Sequence, residues 1–351
     1  MNFASQLCQQ GEHGFSIAHL HCSNGAERGT IGYVMKDQTV EPANQGKFID
    51  PLTTAKGEAR ATVALSHPET LWFNTGTLCN ITCLNCYIES SPDNDRLVYI
   101  TTDEVRDYLE QLKTRKWPVR EIGFTGGEPY MNREMNAMTR AALEAGYKVL
   151  VLTNAMRPMM RAQVRAGIAD LVAEFGDRLT FRVSLDHYTQ AHHDEMRGNG
   201  AFEKTLEGMD WLASIGARMA VAGRMLWQDN DADTRTGFAE LFAARGYEID
   251  ATNPGMCVLF PEMDERIEVP EITTACWGIL GKSPDDVMCA SSRMVVKRKG
   301  ADRPVVLACT LLPYAPEFEM GETLAQAEAD VQLNHPHCAK FCVLGGASCS
   351  V

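Results

Sequence analysis

The 351-residue sequence has no run approaching twenty consecutive apolar residues, which argues against a membrane-spanning helix. Its N-terminus, MNFASQLCQQGEHG, lacks a cationic start and an apolar core, so it does not read as a secretory signal. Basic residues are in deficit: 33 Lys and Arg stand against 46 Asp and Glu, a formal net charge of −13. An acidic surface repels phosphates, so neither a nucleic acid nor an anionic membrane is an expected partner. Low-complexity tracts and repeats at solenoid periods are absent too. What remains is 45% hydrophobic and 23% charged, a globular composition with enough apolar residues for a sizeable core, expected in the cytoplasm.

Cysteine is abundant, with twelve residues, and without a secretion signal these read as metal or redox ligands rather than disulfides. Only Cys8 and Cys22 lie upstream. Cys79, Cys83 and Cys86 stand together in TLCNITCLNCY, and seven more fall between Cys257 and Cys349. The C-x3-C-x2-C run follows the strand-like Leu71–Asn74, and no fourth cysteine lies within twenty residues of it. Three thiolates can hold three corners of a cubane cluster and leave one iron open to a small chelating molecule. Ferredoxin-type runs supply a fourth cysteine and close the cluster for electron transfer. The spacing i, i+4, i+7 is also one helical face, on which free cysteines would pack as small hydrophobes.

From Glu69 the chain alternates strand and helix, the pattern of a parallel sheet with crossover helices. Strands are expected at Leu71–Asn74, Val119–Phe124, Lys148–Leu152, Leu179–Leu185 and Arg218–Met225, with a short sixth at Glu248–Ala251. Helices are expected at Thr102–Thr114, Asn132–Ala145, Pro158–Phe175, Ala201–Ile215 and Asp233–Arg245. Six units fall short of the eight of a closed barrel. After Asn253-Pro254-Gly255 the rhythm changes, and Met294–Arg298 with Pro304–Leu307 reads as a hairpin flanked by Cys289 and Cys309. The expected division is an N-terminal extension over 1–68, an α/β core over 69–258 and a small cysteine-rich domain over 259–351. The extension's role is open; its His19, His21 and Cys22 read as metal ligands or as a plain surface strand.

Candidate functional stretches follow the strands, where parallel β/α sheets gather their sites. Gly126-Gly127-Glu128-Pro129 follows the second strand. Its glycines allow close backbone approach, and Pro129 holds Glu128 extended, so the turn can aim carbonyls and a carboxylate at an ammonium group. Thr153-Asn154-Ala155 follows the third. Ser184-Leu185-Asp186-His187 follows the fourth, then His193-Asp194, Arg197-Gly198, Gly200 and Phe202. The Arg197 fork suits a carboxylate ligand, or an ion pair with Asp194 or Glu195. His187, His192 and His193 are assigned no role.

This set resembles the radical S-adenosylmethionine (SAM) enzymes that carry a SPASM or twitch auxiliary domain. The resemblance implies a partial (β/α)6 TIM-like barrel and a [4Fe–4S] cluster on Cys79, Cys83 and Cys86 whose open iron binds SAM. One electron, from a reductase such as flavodoxin or ferredoxin, would cleave SAM to a 5′-deoxyadenosyl radical. That radical would take a hydrogen atom from a peptide or from a small molecule such as a sugar or cyclitol. The GGEP turn would meet the SAM amino group, Ser184 and Arg197 its carboxylate, and Asp186 the ribose region; Asn154 matches the TNG motif. Where relatives carry an aromatic residue just before the third cysteine, this chain has Asn85, so packing on adenine would come from Tyr87 or from elsewhere. In the tail, HPHCAKFCVLGGASC closes a pattern that implies an auxiliary [4Fe–4S] cluster on Cys289, Cys309, Cys338 and Cys342, with Cys276 or Cys349 as alternates. Structural zinc suits four cysteines as well. A different class of function is a non-catalytic iron–sulfur carrier.

Overall fold

The barrel strands are short β-branched and aromatic runs whose alternate residues face two different interiors. In LTFRVS, Leu179, Phe181 and Val183 join the apolar layer under the helices, while Arg182 and Ser184 face a central cavity. The structure, a computed structural model, describes residues 44, 46–84, 86–227, 230–261, 264 and 267–345. The expectations for His19, His21, Cys22, Asn85 and Cys349 lie outside these residues.

The strands are β1 (Thr62–Val63), β2 (Thr70–Asn74), β3 (Glu121–Thr125), β4 (Lys148–Thr153), β5 (Leu179–Ser184), β6 (Arg218–Met225), β7 (Cys257–Pro261), β8 (Ser292–Val296), β9 (Val305–Leu307) and β10 (Val331–Gln332). The main helices are α1 (Thr102–Arg115), α2 (Met135–Glu144), α3 (Ala162–Phe175), α4 (Gln190–Arg197), α5 (Ala201–Ser214) and α6 (Asp231–Arg245), followed by the short α7 (Cys276–Leu280). The start of α1 is set by a capping box, in which Thr101 and Glu104 satisfy each other's backbone N–H groups. It buries Val105, Tyr108, Leu109 and Leu112 against the sheet.

Strands β2 to β7 lie side by side in chain order, all parallel, as a partial (β/α)6 barrel. The sixth strand is Cys257–Pro261 and not Glu248–Ala251. Local side-chain bonds turn the chain before it can pair: the Asp250 carboxylate accepts from the Thr252 N–H at 2.8 Å, and the Asn253 side chain accepts from the Gly255 N–H at 2.8 Å. Ile249 and Ala251 are buried in the core without joining the ladder. Pro261 is tolerated because it ends an edge strand.

The tail hairpin begins two residues earlier than expected, at Ser292, and its first strand, β8, runs parallel to β2 from the pair Thr70–Ser292 to Phe73–Val295. Strand β9 returns antiparallel. The expected boundary between 258 and 259 therefore falls inside β7, and β8 and β9 extend the barrel's own sheet. A second core gathers Trp72 and Leu150 from the barrel interior with Leu311, Phe318 and Phe341 from the tail. The segment before the barrel is tied to the same region: β1 pairs with β10, and the buried Arg60 forms a 2.6 Å ion pair with Glu271. No helix among the described residues is long and apolar enough to cross a membrane.

Candidate active site

The cysteine triplet occupies the loop after β2, which two neighbours hold in place. Cys79 N–H donates to Ser91 O at 3.0 Å, and Leu84 N–H donates to Met196 O of α4 at 2.8 Å. The turn after β3 is laced to the same loop through Gly127 N–H to Gly76 O at 2.8 Å and Glu128 N–H to Leu78 O at 3.1 Å. A Cβ on Gly127 would lie 2.3 Å from Leu78 O and 2.6 Å from Thr77 O. Gly126 adopts φ +145°, and its Cβ would lie 2.5 Å from Gly76 O. The close approach these glycines serve is to the cysteine loop itself.

Glu128 turns away from the cavity. Its buried carboxylate accepts from Tyr130 N–H at 3.1 Å, Thr153 Oγ1–H at 2.9 Å and Asn154 N–H at 2.8 Å, fastening the second turn to the third. Burial pushes its pKa up to about 7, against the three hydrogen bonds that favour the anion. Pro129 starts a single 3-10 turn and is buried beside it. Asn154 carries the lacing further, donating to Asn80 Oδ1 at 3.0 Å and lying 3.9 Å from Cys79 Sγ. The residue after it, Ala155, holds φ +57°, a left-handed conformation that favours glycine.

One cavity at the C-terminal ends of the strands brings together Cys79, Cys83, Cys86, Tyr87, Gly126, Gly127, Asn154, Ser184, Asp186 and Arg197. Of the residues expected to meet SAM, Glu128 and Pro129 alone are outside its lining. The triplet supplies all the cysteines that line it, so its donor set is three thiols. Burial pushes the Cys79 thiol up to about 12 and raises Cys83, so iron binding would have to displace these protons.

Arg197 Nε and Nη2 donate to the two oxygens of Asp186 at 2.7 and 2.9 Å, and Arg224 Nε lies 3.3 Å from Oδ1. Burial alone would raise the Asp186 pKa, but Arg197 and then Arg224 outweigh it and lower it. The expected alternative for Arg197, an ion pair with Asp194 or Glu195, is not formed. Asp194 instead accepts from Gly200 N–H at 2.9 Å and Phe202 N–H at 2.8 Å, holding the start of α5. His193 Nδ1 accepts from the Asp186 N–H at 3.2 Å, so the HD…G-x-F stretch serves architecture. His187 packs against Tyr188, His192 and Trp227, away from the thiols.

Residues 73–235 match the model of the Radical SAM superfamily. They form a radical SAM domain. Two curated relatives are similar to part of the chain. The antilisterial bacteriocin subtilosin biosynthesis protein AlbA of Bacillus subtilis is 27% identical over 158 residues, 44% of this chain and 33% of AlbA. The AdoMet-dependent heme synthase of Methanosarcina barkeri is 28% identical over 137 residues, 38% of this chain and 36% of the synthase. The chain thus spans about a third of the length of each. The structure of Streptococcus suis SuiB bound to S-adenosylmethionine superposes with a TM-score of 0.53 at 12% identity, over 73% of this chain and 63% of SuiB. That likeness is one of fold.

Sequence reading missed several residues around the domain's cavity: Arg182, Arg224, Phe260, Leu311 and Phe341. Arg182 and Arg224 continue the inward alternation of Ser184 and Ala222, a signal available from strand period alone. Leu311 and Phe341 come from the tail, which no local pattern places over the barrel mouth.

The tail has a cavity of its own. Cys289, Cys309, Cys338 and Cys342 all line it, in apolar company that includes Val287, Leu312 and Phe318. Cys338 and Cys342 lie in a short helix of wide, π-type turns, Cys338–Leu344. Burial pushes the Cys289 thiol up to about 11 and raises Cys338 as well. Cys276 is not in this lining and instead lies 3.4 Å from the Thr273 N–H and hydroxyl. Among the described residues no three His, Cys, Asp or Glu side chains converge to hold a single metal ion. A tetrahedral zinc would need sulfurs about 3.8 Å apart, from Zn–S distances near 2.3 Å, whereas a cubane carries its thiolates on separate irons and spaces them more widely.

Proposed function

We propose that the chain is a radical SAM enzyme in which residues 69–258 make the radical and residues 259–351 hold an auxiliary cluster. Three thiols, the Gly126-Gly127 backbone, Asn154, Ser184 and the Asp186–Arg197 pair share one cavity, and that observation carries the proposal. Cys79, Cys83 and Cys86 would hold a [4Fe–4S] cluster, and Cys289, Cys309, Cys338 and Cys342 a second. With SAM bound, the first cluster supplies one-electron cleavage to a 5′-deoxyadenosyl radical, with the electron delivered by a flavodoxin- or ferredoxin-type reductase.

The protein's part is positioning and exclusion of water. Gly126 and Gly127 bring the second turn against the cysteine loop and leave backbone atoms facing the cavity. Asp186 holds the Arg197 fork with both carboxylate oxygens, so the guanidinium faces the cavity in one orientation. Its remaining N–H donors suit the carboxylate of SAM, with Ser184 beside it. Tyr87 offers an aromatic face for adenine. Leu311 and Phe341 cover the mouth with apolar surface, which shields a radical from solvent.

The similarity to a bacteriocin biosynthesis protein supports modification of a peptide as the reaction; net oxidation of the substrate and a cytoplasmic setting belong to the same proposal. Oxidation of a sugar or cyclitol is the alternative reaction. A pure electron carrier has no use for the Ser184, Asp186 and Arg197 constellation. The test is anaerobic reconstitution with iron, sulfide and SAM under dithionite. Wild type should release 5′-deoxyadenosine, and Cys79→Ala/Cys83→Ala/Cys86→Ala should release none. Equal release by the two proteins would refute the assignment.

A further inference from the structure

The cysteine loop has an outer side as well as the side that lines the cavity. There Ile81, Met131, Met156 and Pro158 form an apolar groove floor, with Arg157, Arg161 and Lys204 on its rim. None of the described residues lining this groove is acidic, on a chain whose net charge is −13. Arg157 and Lys204 are exposed and make no ion pair among the described residues. Arg161 is anchored by its Nε–H to Pro158 O at 3.0 Å and by Nη2 to Tyr130 O. The groove reaches the triplet in one residue, because Asn80 lines it and follows Cys79. Asn80 Nδ2 also lies 3.8 Å from Met156 Sδ in the floor. The same loop exposes a large apolar side chain, Leu84, which is 59% accessible between Cys83 and Cys86.

We propose that this groove is the docking site of an acidic, flavodoxin-type electron carrier, a partner role that rests on the function proposed above. A cationic rim around a small apolar centre suits the brief, electrostatically steered encounters of electron-transfer partners. On a chain this acidic, a general surface would repel such a carrier, so the local reversal of sign decides where it lands. Among the described residues the groove and the proposed SAM cavity share only Arg197, so a carrier seated here leaves the substrate's entrance free. One electron passes from the reduced carrier, which is oxidised, to the cluster held by the triplet, which is reduced. An acidic peptide substrate is a poorer occupant, because it would lie outside the cavity where the reacting atoms meet.

The test uses the reconstituted full chain, a bacterial flavodoxin reduced by its own reductase, and dithionite as a small donor needing no docking surface. Arg157→Glu/Lys204→Glu should slow flavodoxin reoxidation about 10-fold or more at low salt and weaken flavodoxin binding in a titration. The Arg157→Gln/Lys204→Gln pair should fall between it and wild type. Added salt should slow the wild type and leave the Glu variant nearly unchanged. Dithionite-driven 5′-deoxyadenosine formation should be the same in all three proteins. Unchanged flavodoxin affinity and reoxidation in the Glu variant, or an equal loss with dithionite, would overturn the docking site. Failure of wild type to cleave SAM under dithionite would instead count against the proposed function, while the binding titration still decides the docking site.

Discussion

Gly127 sits where a single methyl group would meet three backbone atoms of Thr77 and Leu78. Because that backbone carries Cys79, a Val here should cost iron together with SAM binding, where loss of SAM binding alone would follow if the glycine served the ligand only. Gly127→Val should unfold at a clearly lower temperature and retain few of the core irons, by a cost of about 2 kcal/mol or more. Gly278→Ala, with open space around its Cβ and an ordinary φ, is the control expected to change little. Iron analysis beside a thermal melt would decide between the two. His193 gives a second single-residue prediction, because its buried Nδ1 must stay unprotonated to accept the Asp186 N–H. Burial, then Arg197, depresses its pKa to about 4 from 6.5. A depressed base binds fewer protons folded than unfolded, so its stability is present above pH 6.5 and is lost as pH falls towards 4. The full loss is of order 3 kcal/mol. His193→Gln should therefore show a shallower fall in stability between pH 7 and 5. An unchanged slope would mean that other groups set it. Glu128, with its raised pKa, acts in the opposite sense, losing stability as pH rises through about 7.

At the scale of elements, five of the six barrel strands and all five expected helices are legible as alternating periodicity, because each carries its own apolar face. The sixth strand is not legible, because Glu248–Ala251 has the right alternation but runs into two successive turns closed by Asp250 and Asn253, and local side-chain bonds outrank a four-residue pattern. The motifs after the strands were legible as a set, yet not their division of labour. Glu128 faces inward onto Thr153 and Asn154, and His193-Asp194 fastens a helix. At Ala155 the expected glycine is replaced, although the backbone still takes φ +57°; Gly208 faces it from α5, where a Cβ would lie 1.9 Å from Ala155 O. The grouping of Cys289 and Cys309 with Cys338 and Cys342 depends on how β8 docks beside β2, which the sequence does not encode locally. The function proposed for that group is tested by Cys338→Ala/Cys342→Ala, expected to lose about four irons while still releasing 5′-deoxyadenosine. Loss of SAM cleavage with the core irons intact would contradict a division of labour between barrel and tail.

At the scale of the whole molecule, barrel and tail share a sheet and a core, so the tail both lines its own cysteine cavity and contributes Leu311 and Phe341 to the lining of the barrel cavity. The central claim is that these are two different cluster sites, one open to SAM and one closed by four thiolates. Iron content and the low-temperature electron paramagnetic resonance spectrum of the reduced, reconstituted chain, taken with and without SAM, test it directly. Wild type should carry about eight irons and show one signal that changes on adding SAM. The Cys79→Ala/Cys83→Ala/Cys86→Ala variant should keep about four irons, in a signal indifferent to SAM. A variant that still holds eight irons, or whose remaining signal still responds to SAM, would contradict the account.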